Sequence, residues 1–321
     1  MMRNFNHSDA KDINEAVQLL DGENVKIIAG GTDLLGIMKF GIVPVYPKTI
    51  VNIKTIPGMS YIKEEGDILK IGALTTLKQL SKNTEIQQRY NALQQAASNV
   101  ASPNIRTMGT IAGNICQETR CWYFRAEGNK FNCLKKSGSS LCYALSGDNR
   151  YHSIFGATNG CVCVNPSDIA PALVAFGATV ITNKRNIPIN DFFTVKVGFG
   201  QSGMTILEND EIITEIQVPS LLSNTKSAFV KFAMRKSIDF PIVNCAAVIG
   251  EGKASICLNA VGGKPRKVTA AEEVIAGEEI NEESAEAAAN AAIKGAIALP
   301  KNKYIIQIAK TMIKRAIIAC K

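Results

Sequence analysis

A chain of 321 residues is long enough for two domains, each with its own hydrophobic core. Apolar residues make up 46% and charged residues 20%, which excludes a disordered tail, a coiled coil and a collagen-like fibre. Much of the net charge of +8 is local: 301–321 holds six bases, no acid and one aromatic, Tyr304, which suits a solvated helix face or an acidic partner rather than nucleic acid.

The apolar stretches, such as 169–176, are far too short for a membrane span. Residues 1–12 carry acids and no apolar export core, so a cytoplasmic location is expected. The spacing of Ile13, Ala16, Val17 and Leu20 predicts a helix over 12–20, with Ser8, Asp9 or Asp12 as its cap. A strand follows at 25–29, then Gly30-Gly31-Thr32-Asp33, then an apolar stretch over 34–40 whose first turn Thr32 or Asp33 can cap. Residues 48–53 read as a second strand, ended by Pro57-Gly58, and 68–72 as a third. Thr75 or Thr76 caps a helix reaching Leu80. A helix over 90–100 is ended by Pro103, and 106–114 reads as a second loop of small residues. The segment 116–163, with its scattered glycines and six bases against three acids, reads as mostly loop.

Ordered packing resumes at 169–176, with strands at 178–182 and 211–219. The polar connection 221–226 is the expected domain boundary. Beyond it, 228–234, 246–249 and 254–260 predict antiparallel strands, followed by helices over 282–298 and 304–319. Helices and strands mix without a regular βαβ alternation, which predicts the α+β class.

Two features bear on nucleotide binding. Gly30 and Gly31, directly after a strand, let backbone N–H groups approach a phosphate, and a following helical turn adds its positive end. The segment lacks the third glycine and later acid of a dinucleotide fingerprint, and the Gly-Lys-Ser/Thr of a Walker loop. Alone it is a turn. With Gly109 and Gly113 in the second loop, the pair suits a ligand with two phosphates, such as a flavin dinucleotide.

Cysteine is the other unusual feature. Six of the nine, Cys116, Cys121, Cys133, Cys142, Cys161 and Cys163, fall within 116–163. The odd number and the missing export signal speak against a disulfide framework. A [4Fe-4S] cluster needs four thiolates around a compact cube. Cys121, Cys133, Cys142 and Cys161, spaced 12, 9 and 19 apart, can supply them. No Cys-x-x-Cys knuckle is present, which argues against a structural zinc site. Spacing alone leaves Cys116 and Cys163 as alternative ligands, and buried free thiols as the plain alternative. Of the two histidines, His7 reads as solvent-exposed and His152 as local structure or a neighbour that tunes a cluster. Trp122, Tyr123 and Phe124 read as packing or shielding, and Cys245, Cys257 and Cys320 as core.

Three motifs in order, Ala-Gly-Gly-Thr-Asp-Leu-Leu at 29–35, Met-Gly-Thr-Ile-Ala-Gly-Asn-Ile at 108–115 and Pro-Ser-Asp-Ile-Ala-Pro-Ala-Leu at 166–173, resemble the FAD-binding subunit of the molybdenum hydroxylases, the xanthine dehydrogenase and carbon monoxide dehydrogenase family. The likeness covers nearly the whole chain, including Lys231 to Arg235 and Ala260-Val261-Gly262-Gly263. It implies an FAD-binding domain of the vanillyl-alcohol-oxidase-like (PCMH) type over 1–222, in subdomains of about 1–55 and 56–222, and a smaller α+β domain over 226–321. Ile28, Ala29, Gly30, Gly31, Thr32, Asp33 and Leu34 would cradle the FAD pyrophosphate. Thr107, Gly109, Thr110, Gly113 and Asn114 would form a second wall. Asp168 would bond the adenosine side, and Lys231 would lie near the isoalloxazine.

The insert at 116–163 looks like that of the 4-hydroxybenzoyl-CoA reductase β subunit, which carries an extra [4Fe-4S] cluster. That likeness favours Cys161 over Cys163, through its spacing to Asp168, and Cys121 over Cys116, through the Arg120-Cys121 pair. The intervals between the middle ligands differ, and 150–160 looks longer here. The resemblance implies an electron-transfer subunit with a molybdopterin-binding large subunit, a [2Fe-2S] small subunit and an external electron carrier as partners, and no catalytic side chain of its own. The alternatives are a stand-alone flavin oxidoreductase and a zinc-stabilised binding module with no redox role.

Overall fold

The structure, a computed structural model, describes residues 2–201, 203–222 and 224–321; Met1, Ser202 and Ser223 (the last in the connection expected to divide the domains) lie outside the described residues. Three sheets organise the chain. The first is parallel, with strands β1 (Asn6–Asp9), β2 (Val25–Ile28) and β3 (Thr49–Asn52) in the order β1-β3-β2. The helix Ile13–Leu20 starts where the Asp12 carboxylate accepts the Glu15 N–H at 2.8 Å, and it buries Ala16 and Leu20. The second sheet is antiparallel and holds β4 (Ile62–Glu65), β5 (Ile68–Gly72), β6 (Thr179–Thr182), β7 (Asn186–Pro188) and β8 (Ile213–Pro219) in the order β4-β5-β8-β6-β7. The third, also antiparallel, runs β12-β11-β10-β9 from β9 (Lys226–Phe232), β10 (Val243–Gly250), β11 (Lys253–Asn259) and β12 (Arg266–Lys267).

The third sheet is apolar on both faces, and the two-residue period of a strand sorts its side chains between two cores. Phe229, Ala246, Val248 and Cys257 join the larger core, built on the second sheet and on the helices Asn91–Ser98 and Ile169–Phe176. Ala228, Cys245, Ala247, Ile256 and Leu258 face the other way, into a core closed by the helices Thr269–Ile275, Glu282–Ala292 and Tyr304–Ile318. Lys310 and Lys314 of the last helix pair with Glu286 and Glu282 of its neighbour, so part of the basic C-terminal stretch is neutralised locally. Cys245, Cys257 and Cys320 are buried core thiols.

Two expectations need correction. Residues 106–114 are not an open loop. They join the helices Pro103–Met108 and Ile111–Ile115, because Pro103, besides stopping the previous helix, starts a new one at its first position with Ser102 as cap. The helix expected over 282–298 stops at Ala292, and Gly295 (φ +83°) lies in the left-handed turn beyond it. Strand β1 and the helix Thr84–Arg89 had no counterpart in the sequence reading.

Candidate functional site

Strand β2 ends at Ile28, and Ala29 leads into the turn 30–33 at the carboxyl end of a parallel sheet, where open α/β sheets leave a crevice. Gly31 has φ +70°, and Leu34 opens the short helix Leu34–Lys39. Among the described residues the N–H groups of Gly30, Gly31, Thr32 and Asp33 make no backbone hydrogen bond. The second small-residue segment lies against this turn. A Cβ on Gly30 would stand 2.1 Å from the Met108 carbonyl oxygen, and one on Gly109 would stand 3.8 Å from the Thr32 hydroxyl. Thr110 caps the helix Ile111–Ile115 by accepting the Gly113 N–H at 3.1 Å. Beside the pair, a cleft of about 360 Å³ is lined by Lys54, Met59, Thr76, Thr107, Met108 and Thr110. A glycine turn with unmet amides after a strand is a binding geometry for a phosphate-bearing ligand.

The Asp33 side chain faces away from a phosphate role. Its carboxylate accepts from Arg120 Nη1 at 2.6 Å, from Arg125 Nη2 at 2.8 Å and from the Glu118 N–H at 2.9 Å. Burial works against its charge, but the two guanidiniums outweigh that and hold its carboxyl below the usual aspartate value. Asp33 therefore ties the glycine turn to the cysteine-rich segment. Contacts spanning 85 to 92 residues left no signal in the sequence.

That segment is built from short helical turns, Trp122–Arg125, Leu134–Ser137 and Tyr143–Ser146, each placed immediately after Cys121, Cys133 or Cys142. These three thiols, with Cys161 and Cys163, line one narrow cavity holding about 290 Å³ of space, its open mouth included. Cys116 is not among its walls. Among the described residues no three His, Cys, Asp or Glu side chains converge closely enough to hold a metal ion. The thiols stand around a space instead of meeting at a point. Burial pushes the Cys121 thiol up to about 12 and raises Cys133. Cys161 moves down because the Cys163 thiol hydrogen-bonds to it, and Cys163 moves up for the same reason. His152, buried, sets its Nε2 3.2 Å from Cys121 Sγ, while its Nδ1 has no partner.

Two buried lysines stand at the same cavity. Lys135 pairs with Glu118 at 2.9 Å and donates to the Gly203 carbonyl at 3.1 Å. Lys136 is 1% exposed, and its Nζ has no hydrogen-bond partner. Its ammonium lies 5.4 Å from the centre of the Phe124 ring. Such a contact is worth about 0.5–2 kcal/mol, less than the several kcal/mol that an uncompensated buried ion costs.

Asn114, Asp168 and Lys231 meet in a third place, between the second and third sheets. Lys231 Nζ donates to Asp168 at 2.6 Å, and Asn244 Nδ2 donates to the same carboxylate at 2.8 Å. The Ser167 hydroxyl donates to Asn114 Oδ1 at 2.6 Å, and Asn244 and Asn259 both donate to the Ser167 carbonyl. Burial raises the Asp168 carboxyl against the pull of Lys231. Asp168, expected on the adenosine side of a dinucleotide, and Lys231, expected near the isoalloxazine, are thus paired with each other.

Residues 3–221 match the family described as the FAD binding domain in molybdopterin dehydrogenase, and residues 228–319 match the CO dehydrogenase flavoprotein C-terminal domain. The chain belongs to this family. Its relatives include the aldehyde oxidoreductase FAD-binding subunit PaoB of Escherichia coli (strain K12), 32% identical over 77% of this chain and 78% of that one. The carbon monoxide dehydrogenase medium chain of Hydrogenophaga pseudoflava is 28% identical over 98% of this chain and 96% of its own. A solved structure of the Hydrogenophaga pseudoflava enzyme lacking the Mo-pyranopterin moiety superposes with a TM-score of 0.76 at 26% identity, covering 100% of this chain and 98% of that one. The α+β, two-domain FAD-binding fold and the assignment to FAD-dependent oxidoreductase subunits of the molybdenum hydroxylase family follow from these matches. The unmet amides of the glycine turn fit the FAD that this family binds.

Proposed function

We propose that this chain is the FAD-binding, electron-transferring subunit of a molybdenum-dependent hydroxylase, dehydrogenase or dehydroxylating reductase. It would work in the cytoplasm beside a molybdopterin-binding large subunit and a [2Fe-2S] small subunit and exchange electrons with an external carrier. The FAD-binding unit is residues 1–222 and the C-terminal unit residues 226–321. The observation that carries this reading is the unmet N–H row of Gly30 to Asp33 packed against Gly109. There, Ile28 to Leu34 hold the phosphates by backbone, and Thr107, Gly109, Thr110 and Gly113 shape the facing wall. Asn114, Asp168 and Lys231 position that wall from behind, through Ser167. FAD, when bound, supplies a ring that takes up and gives back electrons. The chain's own task is to hold the ring, keep bulk water from it and set its potential.

The same proposal places a [4Fe-4S] cluster on Cys121, Cys133, Cys142 and Cys161. All four line one cavity, and an orphaned buried ammonium stands beside it. A thiol loses its proton on coordination, so iron binding here works against the burial that raises Cys121 and Cys133 and is expected to release protons. The test is a count of flavin, iron and labile sulfide per chain in the complex purified without air. C121S, C133S, C142S and C161S each lose the iron of this chain and keep flavin, whereas C116S and C163S keep both. A colourless complex without extractable flavin overturns the whole reading. A yellow complex with no iron beyond that of its partner overturns the cluster alone.

A further inference from the structure

We infer that Lys136 is the counter-charge of the cysteine cavity and raises the reduction potential of the iron–sulfur cluster held there; the inference rests on the cluster reading above. Of the two buried lysines beside the cysteines, only one is matched by an acid. Lys135 is matched by Glu118, and Asp33 is shared by Arg120 and Arg125. Lys136 has no anion at all. Its positive charge is therefore uncompensated among the described residues. The electrostatic partners of the Lys136 ammonium are the thiol positions Cys133 and Cys121.

An oxidised [4Fe-4S] cluster with four thiolate ligands carries two negative charges, and three once reduced. A cation that offsets part of the negative charge of the oxidised cluster also favours the added electron. Net charge and local electrostatics are among the levers that set such potentials. Reduction here adds one electron to the cluster, forms no bond and moves no proton. A fixed cation close to the thiolates therefore makes that electron easier to accept. Lys136 sits on the Leu134–Ser137 turn directly after Cys133 and is buried there.

The experiment is a dithionite titration with viologen mediators, followed by electron paramagnetic resonance, on the intact complex carrying K136M, K136R or the native lysine. With K136M, the ratio of reduced to oxidised cluster at a fixed potential falls about tenfold, which for one electron is about 59 mV toward lower potential. With K136R, which keeps the charge, the ratio stays within twofold of the native value. If K136M does not assemble its cluster while K136R does, with native potential, the counter-charge role also stands. Equal potentials in iron-loaded K136M and the native complex overturn it, as does a shift in K136R as large as in K136M. A native complex that contains flavin but no iron in this chain sinks the cluster reading instead, so the two failures are distinguishable. A second readout separates charge from packing. In chelator-stripped protein, K136M is more heat-stable than the native chain, because the unpaired ion is gone, and a lower Tm there contradicts the inference.

Discussion

At the scale of single residues, Gly30 shows how little room the glycine turn leaves. Its α-hydrogen faces the Met108 carbonyl where any Cβ would collide at 2.1 Å with backbone, which no rotamer change relieves. Gly113, by contrast, meets only the Thr110 hydroxyl at 2.9 Å. G30A is expected to cost about 1–3 kcal/mol of stability by overpacking and to leave the purified chain largely without flavin; G113A does less of both. Extractable flavin per chain and a denaturant midpoint decide between them. Asp33 is the residue where reasoning from sequence and the folded chain part. Its position two residues after a double glycine looks like a cradle or cap residue, and only the fold brings Arg120 and Arg125 to it.

At the scale of elements, the tight turn between β6 and β7 is locked by one carboxylate. Glu211, just before β8, accepts two N–H groups of Arg185 at 2.9 Å and the Thr182 hydroxyl at 2.9 Å. Arg185 above all holds its carboxyl down to about 2. The sign follows from linkage: the folded value lies below the unfolded one near 4.5, so the contribution is complete above that pH. It fades as pH falls toward 2. E211Q should lose on the order of 2 kcal/mol at neutral pH, a figure reduced for the half-exposed Arg185. Its stability should then vary less than that of the native chain between those two pH values, as urea unfolding at a series of pH values would read. Elements of this kind were legible where local chemistry repeats. The Asp12 cap, the strand Ile68–Gly72 and the Thr76 capping box with Gln79 each announce themselves within a few residues. Strand β1, Asn-His-Ser-Asp, has no apolar alternation, because it is a largely exposed edge that exists only by pairing with β3. The three one-turn helices of the cysteine segment are too short to carry a period, and long-range packing alone sets them.

At the scale of the molecule, the helix Ile169–Phe176 and the third sheet are joined by an apolar face and by a buried ion pair, Asp168–Lys231, with Asn244 beside it. Removing one member strands the other in a dry site, so K231M should cost about 3–5 kcal/mol. K231M/D168N should recover part of that loss, and the double-mutant cycle measures how much. A loss below about 1 kcal/mol for K231M would mean that the apolar face alone keeps helix and sheet together. Arg120 has a further contact across the molecule, its guanidinium 4.2 Å from the centre of the Phe240 ring. Through the carboxylate of Asp33, then, the glycine turn leans on a segment it meets 85 positions downstream. Oxidative damage to that segment is expected to slacken the turn, and flavin passing into the filtrate of an aged preparation would report injury to its cysteines before any assay was run.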